Sequence, residues 1–100
     1  MVFEMYTLKK LSVLALKLNS KIVSAESCTG GLLSASLTEI PGSSAFFEQG
    51  YITYSNLSKT SVLGVEKKIL KKYGAVSEQV AKQMAEGALK LSLIHISEPT

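Results

Sequence analysis

The run Glu26-Ser27-Cys28-Thr29-Gly30-Gly31 carries the strongest chemical signal in the chain. It follows an apolar segment that suits a buried strand and precedes a segment that suits a helix. In open α/β sheets, ligands bind just beyond the carboxyl ends of the strands. The two glycines let the main chain approach a ligand closely, and free N–H groups at a helix start attract negative charge. Such a loop can hold a phosphate, or it can stabilise the oxyanion formed when a hydroxyl attacks a carbonyl.

Ser27 would supply the attacking hydroxyl, but each residue of this loop also has a plainer interpretation. The loop could be a tight strand-to-helix turn in which Ser27 or Thr29 is the N-cap. Cys28 is a competing nucleophile, since a helix N-terminus favours a thiolate, or it is a small buried residue beside the serine. Glu26 could orient a catalytic group or a ligand hydroxyl, or it could satisfy loop amides.

A serine hydroxyl is a weak nucleophile at neutral pH and needs a base. His95 is the only histidine, and it lies in the suspect C-terminal segment described below. We therefore give it no catalytic or metal role, which excludes a Ser-His-Asp arrangement here. A lysine can be the base where its surroundings disfavour an ammonium, and Lys59 is the best placed because it opens a predicted helix. Four other lysines share one predicted helix as a solvated face: Lys67, Lys68, Lys71 and Lys72.

Composition limits the classes of function that remain. The 100 residues make at most one domain, with 46% hydrophobic and 19% charged residues. The net charge is +3, yet the chain has no Arg, which argues against a dedicated nucleic-acid reader. No stretch is long and apolar enough to span a membrane, and the N-terminus does not resemble a signal peptide. The single Cys28 fits a reducing compartment, so we expect a cytoplasmic protein without a membrane partner.

Helices and short strands alternate along the chain, which predicts an α/β layered fold. The apolar spacing predicts strands over residues 22–25 and 46–55, and helices over residues 3–18, 32–37, 59–63, 66–73 and from Ser77 onward. Ser58 is predicted to cap the third helix and Ser77 the last, and Gly64 and Gly74 are predicted to end the third and fourth. A sheet of two strands seldom stands alone, so the chain reads like the first part of a larger fold.

Residues 91–100 form a segment with a different predicted origin. Read back through the codon table, they give a nucleotide sequence that resembles a widely used transposase-based sequencing adapter, in one frame throughout. The match spans ten codons, and a chance match of that length would be rare. We therefore divide the chain into residues 1–90, the first part of a natural domain, and residues 91–100, a non-native tail.

Several segments together resemble one known family. They are Ala25-Glu26-Ser27-Cys28-Thr29-Gly30-Gly31, Pro41-Gly42-Ser43-Ser44, Tyr54-Ser55-Asn56 with Lys59, Leu63-Gly64-Val65 and Gly74-Ala75-Val76-Ser77-Glu78. In this order, over residues 5–90, they are similar to the CinA (competence/damage-inducible protein A) C-terminal domain family. The resemblance implies a three-layer α/β/α domain of which this chain holds only the N-terminal part.

The resemblance also implies an activity, hydrolysis of the carboxamide of nicotinamide mononucleotide. The products are nicotinic acid mononucleotide and ammonia, and no metal or organic cofactor is expected. Ser27 would be the nucleophile, Lys59 its general base and Tyr54 a partner in proton transfer. Substrate-binding positions carried over from the family are Glu26, Thr29, Gly30, Gly31, Ser43, Ser44 and Asn56.

The family continues beyond Lys90 with further strands, so we expect the 100 residues themselves to be inactive or nearly so. The full-length form would self-associate, as family members commonly do. Two rival interpretations stay open. One is a nucleotide-binding module without catalysis, and the other is an interaction module in DNA uptake or damage response, which the absence of Arg and of aromatic–basic interleaving disfavours.

The origin of the tail can be tested at the level of DNA. Re-amplifying the gene from source DNA and reading through codon 90 should show a frame that continues into further strands and a glycine-rich loop. A natural frame that ends at Thr100 would contradict both the predicted tail and the amidase interpretation of this chain.

Overall fold

The computed structural model describes residues 5–97 and confirms the predicted mixture of helices and parallel strands. These residues form two strands, five helices and one short 3-10 turn. In chain order they are α1 (Met5–Lys17), β1 (Ile22–Glu26), α2 (Leu32–Thr38), the 3-10 turn (Ser43–Ala45), β2 (Phe47–Ile52), α3 (Asn56–Leu63), α4 (Lys67–Tyr73) and α5 (Glu78–Ser97).

The two strands pair in parallel, with Ile22 opposite Phe47 and Glu26 opposite Ile52. Parallel strands need a crossover connection, which α2 supplies here. Because both strands run the same way, the loops that follow them leave the sheet at one edge. Ser27 and Thr53 begin those two loops, so the sheet brings the sequence after β1 next to the sequence after β2.

Helices pack against the sheet through two separate apolar clusters, and alternate strand residues contribute to different clusters. Ile22 joins the first cluster, whereas Val23 and Ala25 join the second, as the two-residue period of a strand requires. The first cluster combines α1, α2 and the turn before β2: Leu8, Ala15, Leu37, Ile40 and Phe46. The second combines α3, α5 and the loop after α3: Leu63, Val65, Val80, Met84 and Ala88.

Helix α1 is amphipathic in a different way from the one its sequence predicts. The apolar spacing of its sequence predicts a buried stripe of Met5, Leu8, Leu11, Leu14, Ala15 and Leu18. Only Leu8 and Ala15 of these are buried, together with Ser12, whose hydroxyl donates to the Leu8 carbonyl at 2.8 Å. Leu11, Leu14 and Leu18 are exposed, and the side chain of Met5 lies outside the described residues. The prediction was wrong for these leucines because only one narrow side of α1 contacts the described part of the chain.

The start of α3 also differs from its prediction. Ser55, not Ser58, is the N-cap, and its hydroxyl accepts a hydrogen bond from the Ser58 amide at 3.1 Å. Ser58 lies inside the first turn, so α3 begins three residues earlier than predicted. Two serines at this spacing both satisfy the sequence rule for a cap, and only the structure distinguishes them. The predicted C-caps Gly64 and Gly74 are confirmed, as is the Ser77 cap of α5, which accepts from the Val80 amide.

The start of α2 depends on a carboxylate from the preceding strand. Gly31 is the N-cap residue, so neither Ser27 nor Thr29 holds that position. Glu26 Oε1 accepts from the amides of Gly31 and Leu33, at 2.9 and 3.0 Å, and from the Thr29 hydroxyl at 2.7 Å. Its Oε2 accepts from the amide and hydroxyl of Ser34, at 3.0 and 2.7 Å. We call this set of five hydrogen bonds the Glu26 clamp.

The clamp sets the charge of the buried carboxyl. Burial by itself raises the pKa of Glu26, because it disfavours the charged form. The hydrogen bonds from Thr29, Ser34 and the Leu33 amide act in the opposite direction and prevail, lowering the pKa from 4.5 to about 2. Glu26 is therefore an anion at neutral pH although only 5% of it is exposed.

Helices α3 and α5 pack closely against each other at Gly87. A Cβ atom placed there would lie 2.0 Å from the Leu63 carbonyl oxygen. That oxygen belongs to the main chain, so it cannot move aside as a flexible side chain could. The glycine is required by the spacing of the two helices.

Gly87→Ala should therefore destabilise the protein by about 1–3 kcal/mol, the usual cost of overpacking. Helix propensity alone predicts the opposite sign, a gain of about 1 kcal/mol. Denaturant unfolding would decide between them. Ala85→Gly, at an exposed position of the same helix, measures the propensity effect without the clash. A more stable Gly87→Ala variant would show that α3 and α5 are not packed at this distance.

The clamp should make stability depend on acid pH. Because folding lowers the pKa of Glu26 from 4.5 to about 2, its contribution is complete above about pH 4.5 and is lost as the pH falls toward 2. We expect a loss of about 3 kcal/mol over that range from this group, measured as unfolding free energy against pH. Glu26→Gln should flatten this part of the curve, whereas Glu39→Gln, at an exposed position, should not. Identical acid slopes in Glu26→Gln and the parent would contradict an ionised clamp.

Candidate active site

Ser27 is the first residue after β1 and lies at the carboxyl edge of the sheet. Its hydroxyl donates to the main-chain carbonyl of Tyr54 at 3.4 Å. Tyr54 belongs to the loop that follows β2, and the Thr53 amide ties that loop to the end of β1 by donating to the Glu26 carbonyl at 3.0 Å. The parallel pairing of the two strands is thus what places the serine against this carbonyl.

Lys59 reaches the same carbonyl from the first turns of α3. Its Nζ donates to the Tyr54 oxygen at 2.9 Å, and only 2% of the residue is exposed. No carboxylate pairs with this side chain among residues 7–93. The structure therefore brings the predicted nucleophile and the predicted base to one oxygen atom, although they are far apart in sequence.

Tyr54 enters this arrangement through its main chain. The carbonyl accepts from both Ser27 and Lys59, whereas the residue is 73% exposed and its phenol hydroxyl has no hydrogen-bond partner in the described part of the chain. The predicted role of the phenol in proton transfer stays a prediction.

A cleft of about 280 Å³ opens beside Ser27. One wall is the loop after β1, including Cys28 and Thr29. The opposite wall is the start of α5 and the turn before it, with Val76, Ala81 and Met84. This lining is mostly apolar, so the cleft suits a flat, weakly polar group with the serine at its margin.

The hydrogen-bond donors that follow Ser27 include a group that donates to Glu26 and a pair of amides that makes no hydrogen bond. The amides of Gly31, Leu33 and Ser34 and the hydroxyl of Thr29 all donate to Glu26. The amides of Cys28 and Thr29 make no hydrogen bond in the described structure. Glu26 therefore satisfies loop amides, one of the two alternatives for this residue, and its predicted part in substrate binding stays a prediction.

Gly30 and Gly31 make the sharp turn that links the serine to the helix. Both have positive φ, 57° and 113°, which disfavours residues with a side chain. A Cβ on Gly31 would also lie 3.2 Å from the Ile52 side chain. Their observed use is to shape the loop, and the pocket-lining role implied by the family resemblance is still a prediction.

Three predicted binding residues lie apart from Ser27. Ser43 and Ser44 belong to the 3-10 turn before β2, at the opposite edge of the sheet from the serine. Within one copy of the chain the structure does not bring them to the cleft. Asn56 begins α3, close in sequence to Tyr54, but it faces a separate shallow hollow with Thr60 and Lys67.

Two contributors to the site were missed by the sequence analysis. Ser34 completes the Glu26 clamp, but a serine as the third residue of a helix does not by itself indicate such a contact. The carbonyl of Tyr54 is a main-chain atom, which no sequence pattern reveals. In the parts of the chain that the structure describes, there is no cluster of three metal-ligating side chains and no helix long and apolar enough to cross a membrane.

Comparisons with known proteins agree with this fold. The CinA C-terminal domain family matches residues 6–97. A CinA-like protein of Chlorobium phaeobacteroides is 52% identical over 84 residues, which are 84% of this chain and 20% of that protein. The crystal structure of the competence/damage inducible protein CihA from Agrobacterium tumefaciens superimposes with a TM-score of 0.80 at 41% identity. The match covers 91% of this chain and 57% of that one.

A second solved structure, a CinA superfamily protein from Enterobacter cloacae, gives a TM-score of 0.83 at 31% identity and covers 93% of this chain and 56% of its own. The chain thus spans little more than half of these solved relatives and about a fifth of the curated one. The family match and the helix α5 both pass residue 90, and the origin of residues 91–100 stays a prediction. The resemblance seen in the sequence is confirmed: the chain belongs to the CinA C-terminal domain family.

Proposed function

We propose that the complete gene product is a nicotinamide-nucleotide amidase. It would hydrolyse the carboxamide of nicotinamide mononucleotide to nicotinic acid mononucleotide and ammonia, returning pyridine nucleotides to NAD synthesis. The observation that carries the proposal is the convergence of the Ser27 hydroxyl and the buried Lys59 Nζ on the Tyr54 carbonyl. A nucleophile and a candidate base held at one point, at the margin of a cleft, are what covalent amide hydrolysis requires.

In the first half of the reaction, Ser27 Oγ attacks the carboxamide carbon while Lys59, as the neutral amine, takes the hydroxyl proton. The resulting tetrahedral intermediate collapses when the C–N bond breaks, and the nitrogen leaves as ammonia after receiving a proton from Lys59. In the second half, water attacks the acyl-serine ester by the same proton transfers and releases the carboxylate. No metal or redox group is needed to balance these steps.

The negative charge that develops on the carboxamide oxygen needs hydrogen-bond donors. The free amides of Cys28 and Thr29 are the donors that border the cleft. The apolar wall formed by Val76, Ala81 and Met84 would pack against the pyridine ring. The nucleotide phosphate would bind outside the described residues, in the part of the domain that solved relatives have and this chain lacks.

That missing part also bears on where and how the protein works. We propose a cytoplasmic enzyme that self-associates in its full-length form and has no nucleic-acid partner. The 100 residues alone would be inactive or nearly so. The exposed leucines of α1 support the proposal that the 100 residues are an incomplete domain, because Leu11, Leu14 and Leu18 are not covered by the described part of the chain.

Substitutions of Ser27 and Lys59 should separate catalysis from substrate binding. In the complete gene product, Ser27→Ala should lower kcat for ammonia release at least about 1,000-fold, since it removes the nucleophile. Lys59→Met should lower it about 100-fold or more, since it removes the base. Dissociation constants for nicotinamide mononucleotide should change little. Ser61→Ala and Lys82→Met, at exposed positions, are the matched controls.

The outcomes distinguish the rival interpretations. A parent protein that binds the nucleotide but releases no ammonia would favour the binding module, and full activity in Ser27→Ala would refute this nucleophile. Tyr54→Phe examines the phenol separately, because it leaves the main-chain carbonyl in place. A loss of tenfold or more would support the phenol's part in proton transfer, and unchanged kcat would limit residue 54 to its carbonyl.

A further inference from the structure

We propose that Glu26 is a positioning residue for Ser27, acting through the clamp, and does not contact substrate. The inference rests on the proposed amidase function and adds to it a residue whose role is to fix the geometry of the nucleophile loop. Glu26 is the last residue of β1 and directly precedes the serine.

The clamp occupies the whole hydrogen-bonding capacity of a buried carboxylate. Three donors meet Oε1 and two meet Oε2, all of them from residues 29–34 and all between 2.7 and 3.0 Å. Only 5% of the residue is exposed, and all five donors belong to the chain itself. Every hydrogen bond of the Glu26 side chain is to the loop or to the first turn of α2.

The Glu26 clamp determines which main-chain amides are free to donate hydrogen bonds to a substrate. Because the carboxylate takes the amides of Gly31, Leu33 and Ser34, the start of α2 does not serve as an anion site. The amides of Cys28 and Thr29 stay free, and both residues line the cleft beside Ser27. Glu26 thereby confines the available donors to the segment next to the nucleophile.

A glutamine cannot reproduce this arrangement. Its NH₂ group would face either the three donors now at Oε1 or the two now at Oε2, so at least one loop amide loses its acceptor. Thr29→Val is a milder test, since it removes one donor at 2.7 Å and keeps the branched shape. Either change loosens the loop, and small displacements of a reacting group have large effects on rate.

The experiment compares Glu26→Gln and Thr29→Val with the parent in the complete gene product, with Glu39→Gln at an exposed position as the matched control. Two readouts are needed. One is kcat and KM for nicotinamide mononucleotide, expressed per folded molecule. The other is amide hydrogen exchange at Gly31, Leu33 and Ser34.

For Glu26→Gln we expect kcat to fall about 100-fold, KM to change less than about threefold, and exchange at the three amides to rise at least about tenfold, which one lost hydrogen bond would produce. Exchange in α3 should not change. Thr29→Val should show the same pattern with smaller effects. If exchange rises but kcat per folded molecule stays at the parent value, Glu26 is only a structural cap and the proposal fails.

A third readout separates this proposal from the amidase function itself. If the parent releases no ammonia, the amidase function fails, and the rate at which a sulfonyl fluoride labels Ser27 then tests positioning. Labelling that is slower in Glu26→Gln, with the same final extent, supports the positioning role. Equal rates, or a parent serine that does not label, would overturn it.

Discussion

A buried carboxylate at the end of the first strand is the constraint on which the site depends. Taking a charge out of water is costly unless hydrogen bonds compensate for it, and Glu26 has five. Those bonds fix the turn through Gly30 and Gly31, start α2 and set the direction in which the chain leaves β1. The position of Ser27 follows from them, because only one peptide bond separates it from the clamped residue.

The second constraint is the parallel pairing of two short strands. It places the loops after β1 and β2 side by side, and the Thr53 amide joins them. Helix α3 then starts at Ser55 and directs Lys59 back toward the sheet. Serine and lysine thus come from separate segments that meet at the carboxyl edge of the sheet, which explains why their sequence spacing alone forms no motif.

Much of this could be predicted from the sequence, and what could not has definite physical causes. Apolar periodicity and glycine stops located the elements, since these depend on local rules. The buried side of α1 was misjudged because the sequence does not state which apolar residues a partner covers, and Leu11 and Leu14 are exposed in this chain. The cap of α3 was misplaced because Ser55 and Ser58 are equivalent by type. The clamp and the shared carbonyl were not predicted because three of the five clamp donors, and the shared acceptor itself, are main-chain atoms.

The shared acceptor has a consequence for how this site would look in a survey of variants. Tyr54 holds the serine and the lysine with its carbonyl, which all twenty amino acids possess. Saturation mutagenesis at residue 54 would therefore report on the phenol and on loop conformation. It would not detect the role of the carbonyl oxygen that contacts both Ser27 and Lys59. If many substitutions at residue 54 were tolerated, the position could still contribute to the site through its main-chain carbonyl. Replacing the following amide bond by an ester, which weakens that carbonyl as an acceptor, would make its contribution visible.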